Sequence, residues 1–86
     1  MSIQNAISCI QKIQKQPDFR QELYKNKTRE EVEKFVESKN LIFSYIELCE
    51  AYRLLLVQCQ TEEQADSLKH TMMMYQLLAD IQLDLH

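Results

Sequence analysis

The 86-residue chain has no glycine, no tryptophan and one proline, Pro17. Without glycine the sequence lacks every motif that needs a backbone free of Cβ: phosphate-cradling loops, the dinucleotide fingerprint, the nucleophile elbow and the Asn-Gly hairpin turn. Most small catalytic scaffolds are excluded with them. Long apolar runs are missing too. The longest, Leu54 to Val57 and Met72 to Tyr75, are four residues each, far short of a bilayer span. The first residues, Met1-Ser2-Ile3-Gln4-Asn5, carry neither a basic segment nor a long apolar stretch, so no secretory signal is read there.

Positive charge is scarce in the second half. Residues 1–43 hold 8 Lys and Arg against 6 Asp and Glu, whereas residues 44–86 hold 2 against 7. Nucleic-acid binding needs clustered cations that displace condensed counterions, and a sequence pI near 5.3 excludes it as a reading. The three cysteines, Cys9, Cys49 and Cys59, are odd in number and show no C-x-x-C spacing. Each falls in an apolar helical pattern, so each reads as a small buried hydrophobe in a reducing, cytoplasmic setting.

What is present is helical periodicity. The 45% of hydrophobic residues suffices for one small core, with folding burying roughly 60–65% of the surface of the unfolded chain. Ile3, Ala6, Ile7, Ile10 and Ile13 form one stripe behind Ser2, a natural cap. Pro17 ends that helix and starts another, which buries Phe19 and Leu23. Three capping boxes mark the next starts: Thr28 with Glu31, Ser44 with Glu47, and Thr61 with Gln64. They open helices over about 29–39, burying Val32, Phe35 and Val36, about 45–59, and about 62–84. Asn40 is the natural left-handed residue closing the third. The fourth helix, with Leu54, Leu55, Leu56 and Val57 pointing around most of its circumference, reads as the centre of the fold. The predicted architecture is an all-α, compact bundle of four to five helices in one domain (residues 1–86), with a long C-terminal helix and the last two helices paired as a hairpin at Gln60-Thr61.

The long last helix has two apolar stripes. Ala65, Leu68, Met72, Tyr75 and Ala79 suit the core. Met74, Leu77, Leu78, Ile81 and Leu85 have few elements left to cover them and form the candidate interaction surface, for a protein partner or a second copy in a homodimer. No membrane or nucleic-acid partner is expected.

Catalytic, cofactor and metal chemistry find no constellation. Cys59 ends the fourth helix while His70 lies well into the fifth, about 13 Å of rise from the corner between them, too far for a nucleophile and its base. Met72, Met73 and Met74 point about 100° apart and do not converge on a soft metal ion. The tyrosines, Tyr24, Tyr45, Tyr52 and Tyr75, are read as core residues with their hydroxyls at its rim. No enzyme activity and no cofactor are expected.

Two segments together resemble a known family. Gln16-Pro17-Asp18-Phe19-Arg20-Gln21-Glu22-Leu23 is similar to its D-P-x-L-x-x-x-L turn into a helix, and Asn40-Leu41-Ile42-Phe43-Ser44-Tyr45-Ile46-Glu47-Leu48 to its G-[YF]-x-[FL]-[ST]-x-x-E-[LI] ending. Residues 2 to about 50 thus resemble the Nif-eleven domain, a small helical module of nitrogen-fixing bacteria and cyanobacteria that also serves as the leader of ribosomally made peptide precursors. Gln16 replaces the family's Asp and Asn40 its Gly, both keeping the backbone role; residues 51–86 are not covered. The resemblance implies a helical bacterial protein of the cytoplasm, with nitrogen fixation as one context. A leader-like module docking on a peptide-maturation enzyme is the alternative, disfavoured by the lack of a double-Gly cleavage site.

Overall fold

In the computed structural model, which describes residues 2–81, Ser2 accepts from the Asn5 amide at 3.0 Å and opens helix α1, Ile3–Lys15. Of the stripe read from the periodicity, Ala6, Ile10 and Ile13 are buried, with Cys9 beside them, and Ile3 and Ile7 pack at their edge. Pro17 is the first residue of α2, Pro17–Tyr24, where its missing N–H would have had no helical partner. Phe19 and Leu23 carry α2 into the core, and the Arg20 guanidinium donates to the Ile13 carbonyl at 3.2 Å near the end of α1.

All three Ser/Thr starts form. Thr28 caps α3, Arg29–Ser38; Ser44 caps α4, Tyr45–Gln58; Thr61 caps α5, Glu62–Ala79. Only the Ser44 box is reciprocal with its own residue: Ser44 Oγ accepts from the Glu47 amide at 3.1 Å, and Glu47 Oε1 accepts from the Ser44 amide at 2.8 Å. At the other two starts the returning side chain reaches one residue further back. Glu31 Oε1 accepts from the Lys27 amide at 3.0 Å and Gln64 Oε1 from the Gln60 amide at 2.7 Å, so the boxes also hold the chain entering each helix.

Asn40 has φ 59°. The Asn40 amide donates to the Glu37 carbonyl and the Leu41 amide to the Val36 carbonyl, at 3.0 and 3.1 Å, the paired bonds of a Schellman close. Asp80 ends α5 in the same left-handed region with φ 52°, its amide donating to the Gln76 carbonyl. There the Ile81 amide donates to the Gln76 carbonyl at 3.1 Å and Ile81 turns onto the edge of the core. The helix α5 therefore ends at Ala79, and residues 82–84 of the expected helix lie outside the described residues. The periodic pattern runs on, but a left-handed residue reverses the chain.

The described residues form an all-α bundle. Its centre is α1, which packs most extensively on α4 and also touches α2 and α5; α5 in turn packs on α3 and α4. This corrects the assignment of the fourth helix as the centre. Ala6 and Cys9 on α1 and Ala51 on α4 are small and buried, which suits the extensive packing of these two helices, and α4 packs on α5 as well. The α2–α3 layer closes over Phe19 and Phe35, whose rings lie 5.2 Å apart, with Lys39 Nζ 3.4 Å from Glu22 Oε2 at the surface.

Candidate functional site

The two apolar stripes of α5 have separate fates. Leu68, Met72, Tyr75 and Ala79 are buried, joined by Thr71, whose hydroxyl donates to the Ser67 carbonyl at 3.0 Å and so satisfies itself within the helix. Of the candidate interaction residues, Leu78 and Ile81 pack against the core, Met74 is half-buried on the flank, and Leu77, 71% exposed, points away from the bundle. Leu85 lies outside the described residues. Met73, one turn before Leu77, is also exposed. Among the described residues the outward apolar patch of α5 is therefore Met73 and Leu77, where the sequence suggested a full stripe.

A larger exposed apolar surface lies on α4, where Ile46 is 68% and Val57 84% exposed, with Tyr45 and Leu54 about half so. The four-residue run Leu54 to Val57 points around most of the circumference of α4, a pattern that predicts cover on several sides. Instead α4 buries Leu48, Ala51 and Tyr52 along one line, with Leu55 and Leu56 at its edge, and turns Ile46, Glu50, Arg53 and Val57 to solvent.

Several cavities adjoin the bundle. One, of about 420 Å³, lies among the ends of α1 and α4 and the start of α5, and is lined by Gln14, Lys15, Gln58, Cys59, Gln64 and Ser67 among others. A second, of about 320 Å³, is walled by Glu33 and Glu37 of α3, Ile42 and Phe43 of the linker, and Tyr75. The Phe43 and Tyr75 rings are 6.2 Å apart, and Asn5 Nδ2 anchors the linker by donating to the Ile42 carbonyl at 2.9 Å.

The titratable groups divide by burial. The Cys9 thiol is pushed up to about 12 by burial, opposed weakly by the Lys12 charge; such a thiol is a packing group, not a nucleophile. Cys49 and Cys59 are only half-buried, against the expectation of three buried cysteines, and all three are free thiols. Cys59 Sγ donates to the Leu55 carbonyl at 3.4 Å. His70 is exposed. Burial, then the neighbouring Cys9 and Glu33, hold the Tyr75 phenol well above its ordinary value. Burial, then Cys59, also raise the Tyr52 phenol above its ordinary value.

Tyr52 departs from the rim expectation altogether. It is 1% exposed, and its hydroxyl has no hydrogen-bond partner among the described residues. Among the described residues no group of three or more His, Cys, Asp or Glu side chains is placed to hold a metal ion, and no helix is long and apolar enough to cross a membrane. No family model, curated protein or solved structure matches the chain.

Proposed function

We propose that this chain is a non-catalytic interaction or regulatory protein, Nif-eleven-like in its first fifty residues, that engages a protein partner through the outward side of α5. The observation that carries the reading is Leu77, a large apolar side chain set opposite the buried face of its helix and followed round by exposed Met73. Met in such a patch is an adaptable contact. The resemblance is supported by the roles its motif positions play: Pro17 as first residue of α2, Phe19 and Leu23 in the core, Asn40 left-handed at the end of α3, and Ser44 with Glu47 as the reciprocal box.

The test compares proteins retained by the parent chain with those retained by Leu77→Asp and by Val57→Asp, each identified by mass spectrometry. Both positions are exposed, so both variants should fold. A partner lost with Leu77→Asp and kept with Val57→Asp supports the reading, and its identity separates the contexts: components of nitrogenase assembly for one, a peptide-modifying enzyme for the other. Identical retention by both variants removes it.

A further inference from the structure

The outward line of α4 has an internal symmetry. Ile46, Glu50, Arg53 and Val57 follow spacings of four, three and four, the seam spacing of a two-helix coiled coil. The order apolar, acidic, basic, apolar reverses onto itself with opposite charges in register. A second α4 laid antiparallel across it sets Ile46 against Val57 and Glu50 against Arg53, twice over, about one two-fold axis. That is the self-complementarity an isologous interface requires. All four side chains are exposed, and neither Glu50 nor Arg53 forms an ion pair among the described residues.

We infer that the outer face of α4 is a homodimer interface, occupied by the α4 of a second copy in antiparallel register. The charges act mainly in orientation. A parallel pairing would set Glu50 on Glu50 and Arg53 on Arg53, whereas the antiparallel one pairs each with its opposite. Leu54, about half exposed beside the seam, adds apolar area. The contact spans one helix of 14 residues, about 21 Å long, which places it at the small end of specific interfaces. The dimer is therefore concentration-dependent. This inference concerns α4 and does not rest on the α5 reading above.

Sedimentation equilibrium of the full chain from micromolar to millimolar concentration tests it. The parent should move from monomer to dimer. Glu50→Arg and Arg53→Glu each replace two attractive pairs by two repulsive ones and should weaken self-association by about 10-fold, from pair energies of up to about 1 kcal/mol each. An equimolar mixture of the two variants restores both pairs in a heterodimer and should regain parental association, as should the double swap. Far-UV circular dichroism checks that each variant stays helical. A parent that remains monomeric at millimolar concentration overturns the inference. So does a dimer indifferent to both charge changes, or one not rescued in the mixture. A dimer lost with Leu77→Asp and kept with Glu50→Arg assigns self-association to α5 instead and overturns it equally.

Discussion

Removing the Tyr52 hydroxyl should stabilise this protein. A buried hydroxyl that loses water without gaining a hydrogen bond costs about 1–3 kcal/mol, and Tyr52 is 1% exposed with its oxygen unpartnered among the described residues. Tyr52→Phe keeps the ring and its packing in the core, and deletes only the orphaned atom. What it loses is the dispersion contact of one oxygen, a few pairs at about 0.1–0.2 kcal/mol each, or about 0.5 kcal/mol. The balance is a gain of about 1 kcal/mol. For a chain of this size that raises Tm by about 4–8 °C. Thermal unfolding followed by circular dichroism at 222 nm, with urea unfolding to check that the slope is unchanged, measures it. Destabilisation by about 1 kcal/mol or more would refute the reasoning, since it would mean that the hydroxyl has a partner, Cys59 or an enclosed water being the nearest options.

Three other outcomes follow from the caps and the buried thiol. Ser44→Ala removes one half of the reciprocal box and should cost about 1 kcal/mol in urea unfolding, with Glu47→Ala showing a coupled loss in a double-mutant cycle; an additive cycle would mean that the two bonds act independently. Asn40→Ala places a Cβ with no compensating polar group at φ 59° and should destabilise by about 1 kcal/mol, whereas Asn40→Gly should be within about 0.5 kcal/mol of the parent, its relieved strain offset by a freer unfolded chain. Equal effects of Ala and Gly would remove the left-handed argument. The Cys9 thiol ionises at about 9.0 when unfolded and about 12 when folded, so above pH 9 the unfolded chain releases a proton that the folded one retains. Stability should be intact below pH 9 and fall on this account by up to about 1.4 kcal/mol per pH unit between 9 and 10, above which the raised phenols of Tyr52 and Tyr75 add to the slope. Cys9→Ala should flatten that slope at some cost in neutral stability, and an unchanged slope would reject the assignment to Cys9.

Helix starts were legible because their causes are local. A hydroxyl at Ser2, Thr28, Ser44 or Thr61 reaches an amide three residues on whatever the rest of the chain does, Pro17 suits a first turn in any context, and Asn40 adopts its left-handed turn at the cost of its own backbone. The end of α5 was not legible, because Asp80 follows an unbroken apolar period and turns left-handed only where Ile81 gains a place against the core. The candidate surface was legible as residue types and not as a surface. Sequence spacing showed that α5 has two stripes and that α4 is apolar around much of its circumference; it did not say which sides would be covered.

That choice belonged to tertiary packing. Small residues at Ala6, Cys9 and Ala51 suit a close approach of α1 and α4, and the packed bundle buries Tyr52, hydroxyl included, while leaving Ile46 and Val57 in solvent. Composition and local chemistry determined an all-α chain without glycine-dependent sites and most of its helix boundaries. Only the assembled bundle decided that Leu78 and Ile81 belong to the core edge, that Leu77 points outward, and that Ile46, Glu50, Arg53 and Val57 form one exposed line. Periodicity fixes directions around a helix axis, and burial depends on which other helix arrives there.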